Sequence, residues 1–235
     1  MTISELHYAF KMSMDRIDSN SQTDFNRGEI DYLLNEAQLI FLKTRSSTSN
    51  IKQRGFEATQ KRTDDLSTLV IKYPEQQPLI PTNNEVDLSL LKYEYYSLIR
   101  IYAEVQESDC VKSIPLKFVQ HDDLNDVLKD PFNSPSQDGI PYNFGKSSAS
   151  NSTSIYMYPK SGTINKVYIE YLKLPNKVSY GGYAYIDGII YPPTTLEFPE
   201  HTHLEIVDIA ANVAALNIEN PEYIRLKKEK LFNNE

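Results

Sequence analysis

Gly28-Glu29-Ile30-Asp31-Tyr32-Leu33-Leu34-Asn35-Glu36-Ala37-Gln38-Leu39-Ile40-Phe41 is the stretch whose spacing decides the fold. Ile30, Leu33, Leu34, Ala37 and Phe41 recur at the period of one helical face, so the segment predicts an amphipathic α-helix with a buried stripe. A second helical stripe lies near the other end, from Thr202 to Ile218, where Asp208, Asn212 and Asn217 interrupt the apolar run that follows Glu205. Such a helix is expected to be buried on most of its circumference. Between the two the period changes from helix to strand.

Upstream of the first stripe, Thr2-Ile3-Ser4-Glu5 has the form of a capping box, followed by Leu6, Phe10, Met14 and Ile17 at helical spacing. The polar segment 18–26 connects this helix to the next, with Asn26 as its cap, and an antiparallel helical pair is expected. A third, weakly amphipathic helix is predicted over 51–69, its best face marked by Phe56, Thr59, Thr63, Leu66 and Val70. Lys43, Arg45, Lys52, Arg54, Lys61 and Arg62 form a basic cluster around it. That cluster reads as a solvated helical face balanced by Glu57, Asp64 and Asp65, or as a patch facing DNA or an acidic partner.

From Leu69 onward residues alternate. Ile99, Ile101, Ala103 and Val105 alternate with Leu98, Arg100, Tyr102 and Glu104; Val167, Ile169 and Tyr171 alternate with Tyr168, Glu170 and Leu172. Ile114, Leu116 and Phe118 mark another strand, and Pro115 within it predicts an edge position. Asp187-Gly188, between Ile186 and Ile189, predicts a type I′ hairpin. Four to six antiparallel strands are expected. A short helix is predicted over 122–129, then a loop over 130–154 rich in Pro, Ser, Asn and Gly, read as an arm ordering against a neighbour or as a surface excursion. Tyr142, Phe144, Tyr156 and Tyr158 in and beside it point to contact, because aromatic residues are enriched in interface cores. Thr202-His203-Leu204-Glu205 is a second capping box, and Asn220-Pro221 starts a last helix to about Leu231.

These elements predict an α+β fold: N- and C-terminal helices forming a helical bundle with an inserted antiparallel β-domain. The expected domains are an N-terminal helical part (1–69), a β-rich domain with long loops (70–198), and C-terminal helices (199–235) packing on the first part.

The chain has 235 residues and a net charge of −8, so it lacks the excess of Lys and Arg from which a free-standing nucleic-acid binder draws its affinity. An acidic wall still suits passive contact with DNA that must slide. Only 40% of residues are hydrophobic and 17 residues are Tyr, a lean core that partner subunits can complete. The single cysteine, Cys110, cannot form an internal disulfide, as expected of a chain made in a reducing cytoplasm. No signal-peptide h-region opens the sequence, no apolar run is long enough to span a bilayer, and no membrane partner is expected.

Chemistry is sparse. Gly181-Gly182 lacks the Lys and helix start of a phosphate loop, and no nucleophile elbow or dinucleotide turn appears. His201 and His203 with Glu200 or Glu205 read as a polar first helical turn in preference to a ligand set. Asp122, Asp123 and Asp126 are explained by the dipole of the helix they open. No enzyme, no catalytic residue, no cofactor and no metal are expected.

The segment Gly28 to Gln38 resembles the Leu-Asn-Glu-Ala helix near the start of phage head-to-tail connector proteins, especially the podoviral tail tubular and adaptor family and the ring proteins of crAss-like bacteriophages. Phe198-Pro199-Glu200-His201 through Ala210-Ala211 is similar to the C-terminal helix of the same families. The resemblance implies a structural protein of the virion tail or neck, in a homo-oligomeric ring of about twelve copies. It further implies stacking between portal and neighbouring tail rings around passing DNA, read without sequence specificity. The candidate interface residues are Tyr142, Phe144, Tyr156, Tyr158, Tyr183, Tyr185 and Tyr191. An alternative is a tail-associated module gripping a host glycan on the aromatic faces of Tyr183, Tyr185 and Tyr191.

Overall fold

A computed structural model describes residues 1–15, 25–46, 56–107, 110–129, 139–147, 151–184 and 187–217. The expected positions Ile17, Lys52, Arg54, Tyr185 and Ile186, and the helix from Pro221, lie outside the described residues. The chain divides into two compact units, Met1–Leu69 with Pro175–Glu235, and Val70–Leu174.

The first unit contains α1 (Ile3–Asp15), α2 (Arg27–Ser46), α3 (Phe56–Asp65) and α5 (His203–Asn217). The capping box at Thr2 forms as its residues require: Thr2 N donates to Glu5 Oε2 at 2.7 Å and Glu5 N to Thr2 Oγ1 at 3.3 Å. Asn26 opens α2, its N–H donating to Glu29 Oε2 at 2.8 Å and its carbonyl accepting from Ile30 N at 3.0 Å. The stripe of α2 is buried throughout, with Ile30, Leu34 and Ala37 at 0% exposure. Ile206, Val207, Ile209, Ala210, Ala211, Ala214 and Ala215 of α5 are buried as well, which leaves little of that helix in solvent.

The bundle expected from the two chain ends is overturned. A seven-stranded sheet dominates the core, and α1 and α2 do not make the expected antiparallel pair: each packs chiefly on α5 and touches the other little. The reason lies in α5, whose buried residues extend around most of the helix, so that α1 and α2 each find an apolar side on it. The second capping box does not form either. Thr202 Oγ1 donates to Pro199 O at 2.8 Å, and the Glu205 carboxylate receives Arg45 Nη2 at 2.7 and 2.9 Å.

The second unit is the sheet. Its strands are β1 (Val70–Ile71), β2 (Glu85–Asp87), β3 (Tyr95–Glu107), β4 (Cys110–Phe118), β5 (Ile140–Lys146), β6 (Thr153–Met157) and β7 (Thr163–Lys173), in the order β1-β7-β3-β4-β5-β6-β2. Val167, Ile169 and Tyr171 face the core as their alternation predicts, opposite Ala103, Ile101 and Leu98 of β3. Ile99 departs from the predicted face. A register irregularity between Leu98 and Arg100 shifts the alternation, so Leu98 packs on the core and Ile99 is exposed.

The sheet is mixed, not antiparallel as expected: β4 runs parallel to β5, with Leu116, Lys117 and Phe118 opposite Ile140, Pro141 and Tyr142. Helix α4 (Leu124–Lys129) lies in the long crossover that a parallel pair demands. Pro115 therefore does not sit on an edge strand. Cys110 to Pro115 pair with β3 and Leu116 to Phe118 pair with β5, so Pro115 falls where β4 exchanges one neighbour for the other. The stretch 130–154, expected as a loop, contains β5 and the start of β6, because Ile140, Tyr142 and Ile155 are needed in the core.

Among the described residues the hairpin expected at Asp187-Gly188 adds no strand; an isolated bridge joins Ala184 and Ile190, and only Gly188 of the turn pair has positive φ, at 76°. The type I′ turn is instead at Asn83 (φ 51°) and Asn84 (φ 60°), closed by Thr82 and Glu85, each donating to the other's carbonyl at 2.9 Å. Asn tolerates the left-handed region because its short amide bonds locally; alanine does not. Asn84→Ala is expected to cost about 1 kcal/mol in urea unfolding, with Asn84→Gly within a few tenths of the parent.

Candidate assembly interface

Helix α2 carries a second buried face made of polar groups. Asp31, at 0% exposure, lies with Oδ1 2.6 Å from His7 Nε2, and its Oδ2 accepts Tyr180 N at 2.7 Å and the Tyr183 hydroxyl. One turn on, Asn35 accepts Val178 N at 2.8 Å and donates to Val178 O at 2.9 Å and Asp31 O at 2.7 Å. Gln38 Nε2 follows, donating to Asn176 O at 3.1 Å. Asp31, Asn35 and Gln38 thus form a ridge along α2 that fastens the segment 176–183, supplying backbone groups of that segment with the partners a strand neighbour would otherwise give. This is what the Asn of the Leu-Asn-Glu-Ala stretch does.

Past the ridge the segment folds into a loop closed by Ser179 and Thr194, whose backbones bond each other at 3.2 and 2.8 Å. Gly181 has φ 81°, and a Cβ there would meet Pro193 Cγ at 2.9 Å, so the loop closes only on glycine. Lys177 Nζ bonds Asp187 Oδ2 at 2.7 Å and Tyr191 Oη at 3.1 Å, the Tyr191 hydroxyl donates to Asp187 Oδ2 at 2.6 Å, and Asp187 Oδ1 accepts Ile189 N at 3.0 Å. The Lys177 ammonium, then the Tyr191 hydroxyl, draw the Asp187 carboxyl down to about 2, and the same contacts raise Lys177 above the ordinary lysine range. The loop presents Ile189 and Ile190 to solvent at its tip.

The expected interface aromatics divide between the units. On the sheet, Tyr142 is buried and its ring meets Phe118 and Phe144 edge-on, at 5.7 Å in each case; burial also raises its hydroxyl above the usual tyrosine range. Phe144 is half-buried beside exposed Phe118. Tyr156 donates to Lys146 O at 2.6 Å, and the Tyr158 hydroxyl to Asn143 Oδ1 at 3.3 Å. In the helical unit, Tyr183 lies over Gly28 and Tyr191 belongs to the Lys177 clamp. Sequence reasoning missed the exposed Tyr8, Met12, Tyr32, Leu39 and Ile40 on α1 and α2, and Tyr73, exposed at the end of a ring ladder with Tyr168 and Tyr102.

One member of the basic cluster is turned inward. Arg45 is buried, with Nε 3.0 Å from Asp65 Oδ2 and Nη2 donating to both Glu205 carboxylate oxygens, so it ties the ends of α2 and α3 to the start of α5. His201 Nε2 lies 2.8 Å from Asp65 Oδ1, whereas His203 Nε2 lies 2.8 Å from Phe198 O, and burial lowers His203 below the ordinary imidazole range. The two imidazoles have different partners. Among the described residues no group of three or more His, Cys, Asp or Glu side chains could hold a metal ion.

Two measurements check this geometry. Asn35→Ala leaves the Val178 N–H and C=O without their amide partner and should cost about 2 kcal/mol or more in urea unfolding, with faster amide exchange at Val178. Asp187 should titrate near 2 by carbon-detected magnetic resonance, below the ~3.9 of an unfolded chain, so its clamp is present above that value and lost as pH falls through the folded one. Lys177→Met should move that titration up.

No curated protein matches the chain. Among the described residues no helix is long and apolar enough to cross a membrane. A family model described as phage tail ring protein 3/4, of the crAss-like phages, matches residues 1–221, which bears out the resemblance carried by the α2 and α5 segments. The chain belongs to the phage tail ring protein 3/4 family, structural components of the virion tail.

Proposed function

We propose that this chain is a structural subunit of the head-to-tail connector, in a ring of about twelve copies stacked between portal and neighbouring tail rings. The observation that carries the reading is the family match over residues 1–221. Three features of the chain support it. Apolar residues stand exposed on helices and at a braced loop tip, more than an isolated subunit needs and suited to burial by neighbours. The net charge of −8 gives a channel wall that does not bind DNA tightly, so the genome passes without sequence-specific contact. Cys110 is an unpaired cysteine, as suits a subunit made in the host cytoplasm before incorporation into the particle.

Of the aromatic residues expected at the interface, Phe144, Tyr156, Tyr158, Tyr183 and Tyr191 keep partly exposed rings and are proposed as secondary contacts. Tyr183 lies against Gly28, and Lys177 Nζ sits 5.0 Å over the Tyr191 ring, so part of each ring face is covered within the chain, which does not favour the glycan reading.

An electron-microscopy map of the intact particle tests the assignment. Density for this fold is expected in a ring of the neck, with portal on one side and another tail ring on the other. Absence of the chain from the particle, or its location on a fibre at the periphery, would overturn the connector assignment.

A further inference from the structure

Helix α2 has three sides. Ile30, Leu33, Leu34, Ala37 and Phe41 form the buried apolar one, and Asp31, Asn35 and Gln38 the polar ridge. The remaining third of the circumference carries Glu29, whose carboxylate accepts Asn26 N at 2.8 Å, and then Tyr32, Glu36, Leu39, Ile40 and Lys43. Of these, Tyr32, Leu39, Ile40 and Lys43 are exposed and Glu36 is half-buried. Helix α1 has a similar side. Leu6, Phe10 and Met14 are buried, while Glu5, Tyr8, Lys11 and Met12 are exposed within another third of a turn, Tyr8 at 68%. Each side therefore sets apolar residues between a carboxylate and an ammonium, Tyr8 between Glu5 and Lys11 on α1 and Leu39 and Ile40 between Glu36 and Lys43 on α2, with Met12 and Tyr32 just beyond.

The order of those charges fixes how the two sides can meet. On α1 the carboxylate comes first and the ammonium follows six positions later, about 9 Å along the axis; on α2 Glu36 precedes Lys43 by seven positions, about 10.5 Å. Laid antiparallel, Glu5 opposes Lys43 while Lys11 opposes Glu36, and in that same register Tyr8 falls between Leu39 and Ile40 and Met12 toward Tyr32. Laid parallel, the same side chains place Glu5 by Glu36 and Lys11 by Lys43, pairing like charges. We propose that the Tyr8–Met12 side of α1 docks antiparallel on the Tyr32–Leu39–Ile40 side of α2 in a second copy of this chain, with Glu5 facing Lys43 and Lys11 facing Glu36. The inference rests on the ring reading above, since a ring joins two different surfaces of each subunit.

The test uses assembled phage particles carrying Tyr8→Cys and Ile40→Cys in a Cys110→Ser background. Mild oxidation is expected to give a ladder of two, three and more linked chains on a denaturing gel from the double variant, and no ladder from either single variant. A dimer from Ile40→Cys alone would show α2 meeting α2 across a two-fold axis and overturn the proposal. So would intact particles of the double variant that do not cross-link. If the cysteines impair assembly, charge reversal decides. Lys11→Glu and Glu36→Lys should each lower incorporation into particles at least tenfold and together restore it, and failure to restore overturns the docking. Parent particles from which the chain is missing would instead refute the connector assignment, a result distinct from all of these.

Discussion

A carboxyl group held out of water has to be surrounded by donors, and Asp31 meets that demand with groups from two other parts of the chain. His7 comes from α1, and Tyr180 N with the Tyr183 hydroxyl from the segment beyond the sheet. A buried carboxyl without such partners costs several kcal/mol, so α2 reaches its place only when α1 and the 176–183 segment reach theirs. Arg45 repeats the arrangement at the other end of the helix, where Asp65 and Glu205 bring in α3 and α5. Helix α2 is thereby fixed at both ends by buried polar groups and along its length by apolar ones. Its last side is left to face outward.

Much of this frame is legible in the residues. Helical period with a box at Thr2 and a cap at Asn26 locates α1 and α2, and strict alternation locates β7, because these signals are local and nothing remote competes with them. The polar ridge is not legible as such. Asp31, Asn35 and Gln38 look like the solvated side of an amphipathic helix until the 176–183 segment is seen to lie on them.

Other departures also arise from partners distant in sequence. Thr202 and Glu205 have the form of a capping box, yet Glu205 is drawn to Arg45, 160 residues away. Asp187-Gly188 has turn chemistry, but Asp187 spends its oxygens on Lys177, Tyr191 and Ile189 N, which shapes a loop whose described arms meet at isolated bridges, Ser179 with Thr194 and Ala184 with Ile190. Asn83-Asn84, with no glycine, takes the type I′ geometry instead. Pro115 looks like an edge marker because sequence does not reveal that β4 divides its length between β3 and β5. The loop composition of 130–154 hid β5 for a similar reason: Pro141 and Gly145 disfavour a strand locally, while Ile140 and Tyr142 are claimed by a core assembled from far away.

The candidate interface residues differ in how far the chain itself engages them. Aromatic residues in loop-like sequence are the contacts that composition suggests, and most of their hydroxyls are engaged within the chain. Among the apolar residues left exposed, Tyr8, Met12, Tyr32, Leu39 and Ile40 sit on helices whose other sides are already buried. A helix that is apolar on two arcs cannot be resolved from its sequence into the arc that closes on its own core and the arc that faces outward. Charge order adds the missing discrimination: an apolar stripe alone would accept many partners in many registers, whereas Glu5 and Lys11 on one helix and Glu36 and Lys43 on another make one direction attractive and the reverse repulsive. For a subunit that must join a neighbour at one rotation to close a ring, that discrimination matters more than added area, because a contact of the right chemistry at the wrong angle produces an open helix of subunits in place of a ring.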